Sequence, residues 1–401
     1  MKSRNYLLAV LFVAPLLAAE PAKPLKLPDG VTIEKLADKK VAAAAAETLK
    51  KEHPVPRSEA VEMLIAILNG SQLDGRDGWF GPAKSRYDWK WLLVACKADA
   101  KATAIKKASF PGTPAQFDLL DRDGDGEIAQ ADLDWSDRSP FVQQSRMLSG
   151  LFRRMDGSGD GKLTKAEFDK LFERLAKDRG HFTADDFRRA MIPRGPMGFA
   201  PGDEPSIPVL VKGLFGNEIG SMSEGPKVGD DAPDFTLKTN DGKGTVQLSK
   251  RIGKKPVVLV LGNFTCGPFR SLFPDVEAVA GRHKESAEFV MVYVREAHPT
   301  DGWKMEQNSR MGVAAKQPTT NAERAEVCEQ FRKLLKPGID LAVDDIADPV
   351  GTAYSGMPAR LYVIDAKGKI AYKSGRGPFG FKPGEMEQAL AMAEAETALG
   401  K

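Results

Sequence analysis

A short apolar run rich in β-branched residues, Val257 to Leu261, is followed by Gly262-Asn-Phe-Thr-Cys-Gly-Pro268 and then by residues at helical spacing through His283. Such a run, bounded by Gly, reads as a strand buried on both faces. Pro268 suits the first turn of a helix, and Pro274 is expected to kink it. Cys266 therefore falls at a strand-to-helix turn, close to the helix N-terminus. Unpaired backbone N–H groups and the positive end of the helix dipole stabilise a thiolate there and lower its pKa. A reactive thiol is the expectation; the alternative is a buried Cys packed as a small hydrophobe.

The chain of 401 residues is long enough for two or three domains. With 42% hydrophobic and 28% charged residues it has the composition of a globular protein. A net charge of +3 argues against nucleic acid or an anionic membrane as partner. Lys2 and Arg4, the apolar stretch Leu7 to Leu17, and Ala18-Ala19 read as a signal peptide, too short to span a bilayer. Export to a periplasmic or extracellular space is expected, with no membrane span after cleavage. The three cysteines, Cys96, Cys266 and Cys328, are an odd number, which leaves a free thiol rather than a disulfide-stapled scaffold.

In chain order, Ile33 to Lys51 with its alanine run reads as a helix, ended by Pro54 and Pro56. Ser58 caps the next helix, with Val61, Leu64, Ile65 and Leu68 on one face and Asn69-Gly70 as its stop. Trp79, Phe80, Tyr87, Trp89 and Trp91 form an aromatic cluster, read as the core of a small subdomain ahead of a glycan-binding face. Residues 193–227 are rich in Pro and Gly and read as a linker, with Val209 to Leu214 docking on a neighbour. Beyond Val228, Asn240-Asp-Gly242 and Asp365-Ala-Lys-Gly368 each sit between short apolar runs as hairpin turns. A second buried strand at Glu288 to Val294, a helix at Glu323 to Leu335 and a closing helix at Glu385 to Leu399 complete a unit whose order suits a central sheet covered on both faces.

Two stretches between Thr113 and Ile192 fit the twelve-residue EF-hand loop. In the first, Asp121, Asp123 and Asp125 fill positions one, three and five, Gly126 allows the sharp turn, and Glu127 offers its backbone carbonyl. Its last position is Asp132, whose shorter arm reaches bidentate geometry less easily than Glu. In the second, Asp156, Ser158, Asp160, Lys162 at the carbonyl position, Thr164 and Glu167 are the ligands, around Gly161. Ile128 is expected to pair with its counterpart in the partner loop, making one EF-hand pair with two structural Ca2+ sites. His181 to Phe187 suggests a further degenerate edge without acidic ligands.

Val228 to Leu399 resembles the thioredoxin-like redoxins. Gly229-Asp-Asp-Ala-Pro-Asp-Phe-Thr-Leu237 is similar to their opening strand, and Cys266-Gly-Pro-Phe269 to their CGPC turn with Phe269 in place of the second Cys. Met357-Pro358 matches the cis-proline loop. A narrower resemblance is to the iodothyronine deiodinases. It rests on Cys266-Gly-Pro-Phe269 at the selenocysteine signature, Tyr293-Val-Arg-Glu-Ala-His-Pro-Thr-Asp-Gly-Trp303, Ala353-Tyr354, Pro358-Ala-Arg-Leu-Tyr362 and Gly377-Pro-Phe379. The resemblance implies reductive chemistry on a small-molecule substrate, with Cys266 as nucleophile, His298 and Glu296 as proton relay, and Thr265 beside them. It implies an external thiol reductant and no organic cofactor, with Cys328 as a possible resolving thiol. Phe264 and Ala359 stand where the family carries a Cys and an acidic residue.

The fold class expected is multi-domain: an all-α N-terminal region with paired EF-hands, then an α/β thioredoxin-like fold. The expected divisions are a signal peptide at 1–19, a helical region at 20–110, an EF-hand pair at 111–192, a linker at 193–227 and the thioredoxin-like domain at 228–401. Deiodinase-like thiol chemistry is the leading functional expectation. A general thioredoxin-like reductase or peroxidase, a non-catalytic calcium-binding interaction protein and a glycan-binding surface module are the alternatives.

Overall fold

The computed structural model describes residues 25–70, 82–136, 138–158, 160–192, 205–216, 218–219 and 222–400. The expected signal peptide, Trp79, Phe80 and the 193–204 stretch of the expected linker lie outside the described residues. No helix among the described residues is long and apolar enough to cross a membrane.

A mostly helical region comes first. It holds α1 (Lys39–Glu52), α2 (Glu59–Leu68), α3 (Trp89–Ala95), α4 (Pro114–Leu120), α5 (Pro140–Met155), α6 (Lys165–Ala176), α7 (Ala184–Met191) and α8 (Ile207–Phe215). Three short strands, β1 (Lys84–Ser85), β2 (Ala104–Lys106) and β3 (Glu127–Ala129), lie between them. Ser58 caps α2, its hydroxyl accepting from the Val61 N–H at 3.4 Å. From Ala60 to Leu68 only Glu62 escapes burial, so α2 is enclosed rather than one-faced. It packs between α1 and α8, which lies within the stretch expected to be a linker. Met222 and Trp303 pack against the same cluster.

The two loops expected to hold calcium do not pair with each other as expected. β3, inside the first loop, pairs antiparallel with β2, placing Ile128 opposite Ile105. Ile105 holds the eighth position of the window 98–109, whose first, third and fifth positions are Ala98, Ala100 and Ala102. A ladder needs only backbone groups and a buried apolar pair, so a segment without acidic ligands serves as partner. Both isoleucines are buried, 2% and 0% exposed, in the main core with Leu92, Phe117 and Leu120. The second loop lies between α5 and α6. There Leu171, Leu175 and Met191 form a small cluster of their own, joined by Leu151, Met155, Phe182 and Phe187. Tyr87 is buried in the main core and Trp89 and Trp91 pack on it, so these aromatics join the core shared with the sheet rather than forming the core of a small subdomain.

The second region holds β4 (Thr236–Thr239), β5 (Thr245–Gln247), β6 (Val257–Gly262), β7 (Glu288–Tyr293), β8 (Asp340–Val343), β9 (Arg360–Ile364) and β10 (Ile370–Lys373), with α9 (Gly267–His283), α10 (Glu306–Arg310), α11 (Asn321–Leu335), α12 (Pro349–Ala353) and α13 (Pro383–Ala398). The sheet order is β1-β10-β9-β6-β7-β8-β4-β5. β6, β7 and β8 are parallel, and β9, β10 and the β4–β5 hairpin run against their neighbours. The alternating faces of β6 feed two cores, Val258 and Val260 on one side and Val257, Leu259 and Leu261 on the other. α9, α11 and α13 supply the first, whereas Val350 and Tyr354 at α12 join the second. β8 has no clear signature in the sequence, and β1 extends the sheet with residues from the helical region.

Candidate functional site

β6 ends at Gly262, where an added Cβ would lie 2.3 Å from the Phe269 ring. Only glycine lets the ring cover the strand end. Cys266 is the N-cap of α9, as the strand–turn–helix reading requires, and Phe269 fills the core against Phe273, Phe331 and Phe381. Cys266 is 1% exposed. Burial pushes its thiol up to about 11, and the Phe269 N–H and Arg270 guanidinium recover only part of that shift while Glu296 adds to it. The expected depression of the pKa is therefore reversed. Removing water from the sulfur outweighs what the helix terminus supplies.

Three segments meet at Asn263, which is fully buried. Its Oδ1 accepts from the Cys266 N–H at 3.0 Å and the Ala297 N–H at 3.3 Å, and its Nδ2 donates to the Pro358 carbonyl at 2.9 Å. The Met357–Pro358 bond is cis. Thr265 donates its hydroxyl to Glu296 Oε2 at 2.7 Å, and its N–H donates to the same oxygen at 2.8 Å. Tyr293 donates its hydroxyl to Glu296 Oε1 and accepts the Phe264 N–H at 3.1 Å. Burial raises the Glu296 pKa, and the Tyr293 and Thr265 donors counter it.

His298 joins through its backbone, whose N–H donates to the Thr265 hydroxyl at 2.9 Å. Its Nδ1 lies 3.1 Å from the Trp303 carbonyl, which only accepts, so Nδ1 carries the proton. The imidazole stands edge-on to the Trp303 ring, with centroids 4.6 Å apart. The Glu296 carboxyl thus engages Thr265 and Tyr293, and His298 reaches it by way of Thr265. Asn263 and Tyr293 escaped the sequence reading; a polar residue inside the Gly262–Cys266 turn was the one signal for Asn263. Cys328 lies on α11, fully buried, with its pKa raised by burial, and Cys96 is pushed up to about 11 by burial.

In the first calcium loop, ligand atoms of Asp121, Asp123 and Asp132 lie within 4.8 Å of one another, so this cluster can hold a metal ion. Carboxylate oxygens suit a hard cation such as Ca2+. The Asp132 carboxylate also accepts the Arg122 N–H at 3.0 Å and the Ala129 N–H at 2.7 Å. Asp125 instead accepts the Glu127 N–H at 2.9 Å. In the second loop Asp156 accepts the Gly161 N–H at 2.9 Å and the Ser158 hydroxyl at 3.1 Å, and Asp160 accepts the Lys162 N–H at 2.9 Å. Glu167 accepts the N–H groups of Ser158 and Thr164, both at 2.9 Å. The Thr164 and Ser158 bonds hold its carboxyl down at about 2. Among the described residues, the second loop does not gather its carboxylates as the first does.

Residues 214–394 match the family described as iodothyronine deiodinase. The chain is 32% identical over 164 residues to thyroxine 5-deiodinase of Aquarana catesbeiana, covering 41% of this chain and 59% of that protein. It is also 32% identical to the Gallus gallus thyroxine 5-deiodinase, covering 62% of it, and 28% identical to the Rattus norvegicus type II iodothyronine deiodinase, covering 68%. The chain thus spans about three-fifths of the length of the first two relatives. A solved thiol:disulfide interchange protein of the thioredoxin family from Chlorobium tepidum is 16% identical, with a TM-score of 0.29, covering 42% of this chain and 99% of that one. The α/β region is distantly related to the deiodinases.

Proposed function

We propose that the α/β unit is a one-cysteine thiol oxidoreductase acting at Cys266. The observation that supports this best is the position of Cys266 at the N-cap of α9, joined through Asn263 to the carbonyl of the cis Pro358. The Cys266 sulfur attacks one sulfur of a substrate disulfide. A mixed disulfide forms, and the departing thiol carries away the Cys266 proton. Phe269 stands where a vicinal resolving Cys would sit, and Cys328 is sealed in the core. An external thiol reductant therefore attacks the mixed disulfide and returns Cys266 to the thiol. Because the sulfur is covered, substrate entry first has to expose it.

A second reading is reductive dehalogenation, favoured by the match of residues 214–394. The Cys266 sulfur takes the halogen from an aromatic carbon, and that carbon receives a proton through Thr265, Glu296 and His298. Two equivalents of thiol then regenerate Cys266, yielding a disulfide, halide and a proton. In either reading the chain is exported, and a cation such as Ca2+ held by Asp121, Asp123 and Asp132 has a structural role.

The test is turnover of 2-hydroxyethyl disulfide and hydrogen peroxide by the full chain with excess dithiothreitol, beside iodide release from an iodinated phenol. Disulfide or peroxide turnover that disappears in Cys266→Ser supports the first reading. Iodide release alone supports the second. Equal rates for wild type and Cys266→Ser in all three assays leave the non-catalytic calcium-binding reading.

A further inference from the structure

We infer that Arg270 is the built-in countercharge of the Cys266 thiolate. The inference deepens the proposed role of Cys266 and rests on it. Among the described residues four arginines are fully buried: Arg270, Arg324, Arg360 and Arg376. Three of them have a carboxylate: Arg324 pairs with Asp348 at 3.2 Å, and Arg360 and Arg376 each pair with Glu59 at 3.1 Å. Arg270 is the exception among the described residues. Its Nη1 donates to the Phe264 carbonyl and its Nη2 to Asn308 Oδ1 at 2.8 Å, both neutral acceptors. Its Nε is buried without a hydrogen bond, as is the Nε of the other three.

A guanidinium does not give up its proton inside a protein, so this charge is permanent. A buried charge without a counter-ion is unfavourable. Glu296 makes no ion pair with it, because its oxygens are taken by Thr265 and Tyr293, and its charge reaches Arg270 only at longer range. Arg270 lies four residues into α9 from Cys266, and its guanidinium folds back over the turn. Nη2 comes within 3.8 Å of where a Cβ on Gly267 would stand, and Asn308, which holds Nη2, also donates to the Thr265 carbonyl at 2.7 Å. The guanidinium is thereby held between the carbonyl two residues before Cys266 and the residue after it. When Cys266 ionises, its proton passes to water and the thiolate supplies the missing anion. Among the anionic groups that favour the charged form of Arg270, Cys266 contributes most, ahead of Glu296 and Tyr293.

The test follows iodoacetamide labelling of Cys266 by peptide mass between pH 6 and 10, in the full chain. In Arg270→Gln the midpoint of the pH–rate profile is expected to rise by at least one unit, with the rate at pH 7.5 falling about tenfold or more. Arg270→Lys, which keeps the charge but not the fork, is expected to restore most of the midpoint. A merely structural role would impair both variants alike without moving the midpoint. An unchanged midpoint in Arg270→Gln overturns the inference. A wild-type Cys266 that labels at no pH overturns the reactive-thiol reading, and the inference with it. A second measurement leaves Arg270 intact, so it stands if Arg270→Gln does not fold. Cys266→Asp supplies a fixed anion and is expected to melt at a higher temperature than Cys266→Asn at pH 7.5. The reverse order shows that the guanidinium seeks no anion there, and overturns the inference.

Discussion

Asn263 binds the turn before α9, the segment after β7 and the loop before β9 with one side chain. Its removal leaves the Pro358 carbonyl and the Cys266 and Ala297 N–H groups without that partner in a dry interior. Asn263→Ala is expected to cost roughly 2 kcal/mol or more of stability, read by urea unfolding. Asn263→Asp keeps the acceptor but loses the donor to Pro358 and buries a carboxyl group, so it is expected to be no better tolerated. Phe269 is the other residue on which the turn depends. Phe269→Ala opens a cavity beside Phe273 and Phe331 and is expected to cost about 3–5 kcal/mol in the same assay.

At the level of elements, α9 and α13 are joined by a buried ion cluster. His283 Nδ1 lies 2.8 Å from Glu394 and its Nε2 3.2 Å from Glu387, and Arg282 forks onto Glu387 at 2.7 and 2.8 Å. Both ring nitrogens face carboxylate oxygens, so both donate and the ring is cationic. Burial pulls the His283 pKa down, but Glu387 and Glu394 outweigh it and lift it to about 9. A raised folded pKa means that this stabilisation is complete below the unfolded value near 6.5 and fades as pH rises through 9. Glu387 and Glu394 are shifted down, so their share is lost on acidification instead. His283→Gln is expected to lose on the order of 2 kcal/mol at pH 6 and progressively less towards pH 9.5, measured as the difference in thermal midpoint from wild type.

The acidic loop that holds Asp121, Asp123 and Asp132 is an element docked on the same α13. Trp135 donates to Gln388 at 2.8 Å, and Gln388 donates to the Asp132 carbonyl at 2.8 Å. The Arg122 guanidinium lies 5.0 Å from the Trp135 ring centroid and 4.5 Å from that of Phe141. If Ca2+ occupies this loop, chelation is expected to alter Trp fluorescence and lower the thermal midpoint. At a hundredfold excess of ion over its Kd the loss is about 2.7 kcal/mol. Asp121→Ala should abolish that response. An unchanged midpoint in wild type on chelation would rule out the structural role of the ion.

Across the whole molecule, one carboxylate of the helical region gathers three cations of the sheet region. Glu59, at the start of α2, meets Arg360 and Arg376 at 3.1 Å and Lys373 at 3.4 Å. Burial pushes its pKa up, but these three cations overcome that and pull it down to about 2. Lys373 is itself lowered to about 8, by burial and then by Arg360. Glu59→Gln leaves the cations facing a neutral amide and is expected to cost roughly 3 kcal/mol, the lower end for a broken buried pair because Glu59 keeps 34% of its side-chain exposure. Limited proteolysis should then cut first between α1 and α2.

The strand at β6, the helix after Pro268, both hairpin turns and the oxygen-ligand spacing of the calcium loops were legible in the chain itself. Each rests on sterics, periodicity and turn chemistry within a few residues of sequence. The partner of β3, the burial of Cys266, the isolation of Arg270 and the grip of Arg360, Lys373 and Arg376 on Glu59 were not. Those depend on which distant segments exclude water from a given atom. Desolvation is a property of the filled volume around a group, and only the tertiary structure fills it.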